Sequence, residues 1–272
     1  MRLPAEQRFS RPSVMGVVNV TLDSFSDGGV NFDPAVAASA ARRMLADGAA
    51  IVDVGGESTR PGSEGTSAEE ELRRVVPVLE ALEGEVPVSF DTAKAGVARR
   101  ALDLGAEMVN DVTALRGDPE LGGVVAEAGC YLCLMHMQGE PRTMQVSPTY
   151  DDVVSDIARF LEERLAFAVS QGVREELVCL DPGIGFGKTV EQNFELVRRL
   201  HELTALGRPV LIGFSRKSSL GRILGDPSAT TGPLSASLAV AVAAYERGAT
   251  IIRAHDVREH VEALAAAQAV LA

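Results

Sequence analysis

With 272 residues, the chain is long enough for a sizeable buried core and falls within the range of one large domain. Its formal charge of −12 argues against non-specific nucleic-acid binding, which needs basic surface to displace counterions from phosphates. No apolar run reaches the ~18 residues of a membrane span, and the first 13 residues, MRLPAEQRFSRPS, lack the apolar core of a signal peptide.

Eight short apolar runs recur along the chain, each ending on polar residues and each followed by a helical stretch. In order they are VMGVVNV (14–20), AIVDVGG (50–56), VPVSFDT (86–92), EMVNDV (107–112), YLCLMHM (131–137), LVCLDPG (177–183), PVLIGFS (209–215) and TIIRAHD (250–256). Strands alternating with helices indicate βαβ units and a parallel sheet, and eight such strands close into a (β/α)8 TIM barrel. We therefore expect one α/β domain over 1–272, with 1–13 as an N-terminal extension. The polar strand ends are Asn19, Asp53, Asp91, Asn110 with Asp111, His136, Asp181, Ser215 leading to Lys217, and Arg253 with His255. In this fold they converge on one rim, at the C-terminal ends of the strands, where the active site is expected.

Two βα connections exceed the usual ~2–6 residues: TLDSFSDGGVNFD (21–33) and ESTRPGSEGTS (57–67). Their length and Gly content suit lids that close over a substrate. Ser67 and Glu70 have capping-box spacing at the start of the next helix. Asp23 and Asp27 fall in the first loop; a role in catalysis and a place in a solvated lid are equally good readings. The segment 233–245, PLSASLAVAVAAY, reads as a buried, Ala-rich helix.

Cys130, Cys133 and Cys179 are odd in number, and two lie in expected strands, which fits a reduced, cytoplasmic protein without disulfides. Pro182-Gly-Ile-Gly-Phe-Gly187-Lys188-Thr189 imitates a nucleotide-binding P-loop, but Pro182 replaces its first glycine. Proline cannot adopt that glycine's backbone shape and has no amide for a phosphate, so we set nucleotide binding aside.

Against the acidic background, Arg60, Lys188, Arg216, Lys217 and Arg253 gather just beyond strand ends, pointing to a small anionic partner. Lys217 stands out because the chain uses Arg 23 times and Lys three times. Asp91, Asn110 and Asp181 suit a flat heterocycle with amino and ring N–H groups along one edge, since carboxylates only accept while Asn donates and accepts. Strand eight lies beside strand one in a closed barrel, so Asn19, Arg253 and His255 form a corner able to hold a phosphate or diphosphate.

The segments MGVVNVTLDSFSDGG, DVGGESTRPG, SFDT, NDV, HMQGEPRTMQ, LDPGIGFGK, GFSRKS and RAHDV occur in one order between about 14 and 258. Together they resemble the dihydropteroate synthase family of folate biosynthesis, pterin-binding TIM barrels that are targets of sulfonamides. Leu22 stands where the family usually has Pro, and Ala254 where Val is common. The resemblance implies a transferase joining 4-aminobenzoate to (7,8-dihydropterin-6-yl)methyl diphosphate, giving 7,8-dihydropteroate and diphosphate with Mg²⁺.

The resemblance also implies residue roles. Asp91, Asn110, Asp181 and Lys217 would hold the pterin. Asn19, Arg253 and His255 would hold the diphosphate, with Asn19 positioning the metal. Thr59, Arg60, Pro61, Phe186 and Ser218, with Lys217, would take the aminobenzoate. The catalytic set would be Lys217, Arg253, His255, Asp91 and Asp181, on an SN1-like route. His136 has no assigned task and reads first as a structural residue. Alternatives are a pterin-binding methyltransferase domain, which needs no diphosphate site, and a non-catalytic pterin-binding barrel. The Ala-rich stretches 233–248 and 257–271 are candidate homodimer surfaces.

Overall fold

The computed structural model describes residues 2–20, 33–59, 62–82 and 84–271, and a strand forms at every apolar run, the first starting one residue early at Ser13. These are β1 (Ser13–Asn19), β2 (Ile51–Gly55), β3 (Val88–Asp91), β4 (Met108–Asp111), β5 (Tyr131–Met135), β6 (Val178–Asp181), β7 (Leu211–Ile212) and β8 (Ile251–Ala254). They pair in parallel in the order β6-β5-β4-β3-β2-β1-β8-β7. A bridge between Leu180 and Val210 brings β6 and β7 together and closes the (β/α)8 barrel. β7 is short because Pro209 has no N–H for the ladder and Gly213 has no side chain to pack.

Helices α2 (Pro34–Ala46), α3 (Ala68–Leu82), α4 (Ala95–Asp103), α5 (Leu121–Ala128) and α6 (Val153–Ser170) surround the first half, after a short α1 (Ala5–Arg8). Helices α7 (Val190–Arg198), α8 (Leu200–Thr204), α9 (Ser218–Ile223), α10 (Leu234–Glu246) and α11 (Val257–Leu271) surround the second. Local chemistry sets their starts. Asp33 accepts from the Ala35 N–H at 2.8 Å with Pro34 in the first turn.

At α3 only half of the expected capping box forms. The Ser67 hydroxyl accepts from the Glu70 N–H at 3.2 Å, but the Glu70 carboxylate pairs with Arg73 and Arg74 instead. A complete box occurs at Thr189 and Gln192, inside the P-loop look-alike.

Strand alternation decides what enters the barrel. Val52, Val54, Phe90, Val109, Leu132, Leu180 and Ile252 face the helices in the outer core. Met15, Ile51, Met108, Tyr131, Cys133, Cys179, Leu211 and Ile251 form a separate inner cluster. Within the expected extension 1–13, Ala5 and Phe9 join this cluster and help close it from below. Phe9 is fully buried, edge-on to Tyr131 at 5.4 Å, and the Tyr131 hydroxyl donates to Leu3 O at 2.9 Å.

α10 is not the fully buried helix expected from its composition. It buries Ser237, Ala241, Ala244 and Tyr245, while Leu234 is exposed. Alanine is small enough for either surface, so composition alone could not assign it. Among the described residues, no helix is long and apolar enough to cross a membrane.

Candidate active site

Two residues above the inner apolar cluster, the same alternation turns polar groups inward: Ile51 leads to Asp53, Met108 to Asn110, Cys179 to Asp181 and Ile251 to Arg253. Asp53 is fully buried and accepts from Ser89 Oγ at 2.6 Å, Asn110 Nδ2 at 3.0 Å and Arg253 Nε at 2.8 Å. Arg253 Nη2 also lies 3.6 Å from Asp91 Oδ2. Sequence reading noted Asp53 as a strand end but gave it no task. Its place two residues after Ile51 was the available signal.

Asp91 and Asn110 are register partners on β3 and β4, while Asp181 ends β6 in register with Met135 of β5. Burial pushes the Asp91 carboxyl up, the neighbouring Asp53 charge adds to this, and Arg253 opposes it. Burial also lifts Asp181 to about 6, although the Gly183 N–H donates to its Oδ1 at 2.7 Å. Among the described residues, Asn110 Oδ1 is buried without a hydrogen-bond partner. Such an atom needs a donor, and a ligand is the natural source.

The connection after β6 forms the adjoining wall. Gly183 has φ +71°, and a Cβ there would lie 1.9 Å from His136 O, so only glycine fits this approach. Lys188, expected at a strand end near the rim, is instead buried under this turn. Its Nζ donates to Gly183 O and Phe186 O at 2.9 Å and meets His136 Nδ1 at 3.0 Å. Burial first, then Lys188, drives His136 down to about 2, which leaves a neutral acceptor stacked edge-on to Phe160. The structural reading of His136 accounts for these contacts. Asn193 completes the bracing by accepting from the Gly185 N–H at 2.7 Å and donating to Ser219 Oγ at 3.0 Å.

Lys217 Nζ sits 4.5 Å over the Phe186 ring, and Ser218 opens α9 directly after it. Arg216 holds this corner with a left-handed φ of +58°, pairing with Asp256 through Nε at 2.9 Å. Asp256 directly follows another expected anion ligand, His255. His255 Nδ1 lies 3.3 Å from Ser215 Oγ, and burial followed by Arg253, Arg216 and Lys217 lowers its pKa to about 4. It is therefore a neutral imidazole near pH 7, and meets an anion first as a hydrogen-bond donor.

Asn19 ends β1 on the inward-facing parity but registers with Gly55 of β2, while Arg253 registers four residues lower with Met15. The register thus separates Asn19 from the expected corner partner Arg253, whose guanidinium reaches Asp53 and Asp91. Thr59 lines a cavity of about 480 Å³ with Glu57, Val112, Met137 and Arg142. Lys94 anchors the base of this loop by donating to Glu57 and Glu71, both at 2.6 Å, a clamp that sequence reading missed. Arg60 and Pro61, like Leu22, Asp23 and Asp27, lie outside the described residues.

With a buried, donor-seeking layer in a barrel mouth, the sequence comparison becomes decisive. A model of the family described as "Pterin binding enzyme" matches residues 15–255. The chain belongs to the pterin-binding enzyme family. It is 48% identical over 265 residues to a dihydropteroate synthase of Escherichia coli (strain K12), covering 96% of this chain and 93% of that one. Among solved members of this pterin-binding family, dihydropteroate synthase of Yersinia pestis in complex with a sulfonamide drug superposes with TM-score 0.89 at 45% identity, covering 97% of this chain and 95% of that one. The enzyme of Xanthomonas albilineans with 7,8-dihydropteroate gives TM-score 0.85 at 42% identity, covering 97% and 95%.

Proposed function

We propose that this chain is a dihydropteroate synthase, a transferase that condenses 4-aminobenzoate with (7,8-dihydropterin-6-yl)methyl diphosphate in folate biosynthesis. The observation that carries this reading is the buried Asn110 Oδ1, without a partner among the described residues, on the strand next to Asp91 and at the same barrel mouth as Asp181. These are acceptors, and the pterin edge offers an amino group and ring N–H donors. Lys217 closes the pterin side, while Thr59, Arg60, Pro61, Phe186 and Ser218 take the aminobenzoate. The similarity to a sulfonamide-bound relative supports placing sulfonamides in the same aminobenzoate position.

Diphosphate is assigned to Asn19, Arg253 and His255. The donor set fits Mg²⁺ in the mode where one or two protein oxygens supplement substrate phosphates, because Asn19 presents a carboxamide near the rim. Asn19 would hold the ion, which when bound supplies charge neutralisation at the leaving group. Arg253 and the His255 N–H stabilise negative charge as the C–O bonding pair departs with diphosphate. The methylene carbon left behind shares its positive charge with the electron-rich pterin ring, beside the buried carboxylates. The aminobenzoate nitrogen then donates its lone pair to form the C–N bond and releases a proton. Its lone pair is already free at neutral pH, so placement against the stacked Phe186 and Lys217 pair is the main requirement.

We read the whole chain as one catalytic domain and its location as cytoplasmic, which the three buried, unpaired cysteines support. A homodimer through α10 and α11 is supported by exposed Leu234, Val270 and Leu271, and light scattering of the purified chain tests it. The activity is tested by mass spectrometry of the products. The reading requires dihydropteroate and diphosphate in a one-to-one ratio, and diphosphate without dihydropteroate contradicts it.

A further inference from the structure

Asp53 has no substrate assignment of its own, yet it hydrogen-bonds two residues that do. Its Oδ1 accepts from Ser89 Oγ at 2.6 Å, and its Oδ2 accepts from Asn110 Nδ2 at 3.0 Å and from Arg253 Nε at 2.8 Å. Oδ2 already accepts from the Arg253 N–H, a group that can only donate, and so offers Asn110 a lone pair. Asn110 must therefore turn its NH₂ toward Asp53, which leaves Oδ1 as its remaining polar atom, buried and without a partner among the described residues. The amide orientation follows from the neighbour's chemistry. By register Asp53 lies in line with Ser89 and Asn110 with Asp91, two residues further along β3, so the Asn110 side chain reaches Asp53 diagonally across that strand.

We infer that Asp53 is a positioning and specificity-determining residue: it locks the Asn110 amide as an acceptor toward the ligand and restricts that point of the pocket to hydrogen-bond donors. An Asn free to rotate would greet a donor or an acceptor equally. With Asp53 beneath it, the layer of Asp91, Asn110 Oδ1 and Asp181 reads a ligand edge made of donors. Asp53 also holds Arg253, but its effect on the ring operates through Asn110 and is independent of diphosphate. The inference rests on the pterin-binding reading above and deepens it.

The test is a double-mutant cycle read by equilibrium binding of 6-hydroxymethyl-7,8-dihydropterin, which carries the ring without diphosphate. Asp53→Asn keeps the side-chain shape but allows an N–H to face Asn110, so its affinity for the dihydropterin should fall about 10- to 100-fold, the range for a lost buried hydrogen bond. Asn110→Ala should fall similarly, and the double variant should bind no more weakly than Asn110→Ala alone. The KM for 4-aminobenzoate should stay within about threefold. If Asp53→Asn alone does not fold, the same cycle is run in Arg253→Gln, where no lone cation is left buried.

Unchanged dihydropterin affinity in Asp53→Asn, or losses that add in the double variant, would overturn the inference. So would a loss seen only with the diphosphate-bearing substrate, which would place the action of Asp53 on Arg253 alone. A native chain that does not bind the dihydropterin at all would overturn the functional reading, and the inference with it.

Discussion

Arg253 on β8 and Asp53 on β2, 200 positions apart in the chain, meet inside the barrel with Nε 2.8 Å from Oδ2. The same guanidinium approaches Asp91 at 3.6 Å. One cation thus offsets two acids on the inner face of the barrel, and it is the residue proposed to meet the diphosphate. Ligand binding and fold stability therefore depend on the same charge.

Arg253→Ala should show both dependences. Removing one partner of a buried pair leaves Asp53 uncompensated, which typically costs about 3–5 kcal/mol. Urea denaturation should report a loss of this order, and steady-state kinetics should show the KM for the pterin diphosphate rising more than the KM for 4-aminobenzoate. A change confined to aminobenzoate contradicts the assignment.

Asp181 should set an acid limb in the activity profile. Its folded pKa is raised from the ordinary 3.8 to about 6, chiefly by burial. The folded state therefore binds more protons than the unfolded chain between pH 3.8 and 6, so this group's contribution to stability falls as pH rises through that window. Its ability to accept pterin donors grows over the same interval. We expect kcat/KM to rise through about pH 6. Asp181→Asn should lose most activity yet unfold at higher denaturant near pH 7, by on the order of 1–3 kcal/mol.

His136 predicts the opposite slope. Its folded pKa is about 2 against the ordinary 6.5, so below pH 6.5 the unfolded chain takes up a proton that the folded one refuses. Stability supplied by the neutral ring is present above pH 6.5 and is lost as pH falls toward 2, with a limiting slope of about 1.4 kcal/mol per pH unit. His136→Asn should flatten this part of a pH-stability curve, measured by chemical denaturation.

Gly183→Ala tests the close approach under the active-site turn. A Cβ would lie 1.9 Å from His136 O on a backbone with φ +71°, and we expect a loss above about 3 kcal/mol with impaired pterin binding. Gly123→Ala in α5 is the matched control, because a Cβ there meets nothing within 4 Å. It should be neutral or stabilising by about 0.5–1 kcal/mol, as thermal melts will report.

The barrel was legible in sequence because each strand run is short, apolar and followed by a helix, and an observed strand forms at each of the eight. The acceptor layer was legible as residue types at strand ends, but its wiring was not. Nothing local to Asp53 announces a partner 200 positions away. Lys188 was read among the rim cations because it follows a strand in sequence. The glycine turn folds back over it, and three acceptors bury it instead. The Ser67 to Glu70 spacing fitted a capping box, but two arginines at favourable helical spacing drew the Glu70 carboxylate away.

The central claim is that this acceptor layer and the anion corner together perform the condensation. Diphosphate release measured with both substrates, with each omitted, and with Mg²⁺ chelated tests it most directly. The account predicts rapid release that requires the pterin diphosphate, is accelerated by 4-aminobenzoate and falls on chelation. Release indifferent to aminobenzoate, or no release with all components present, would contradict it.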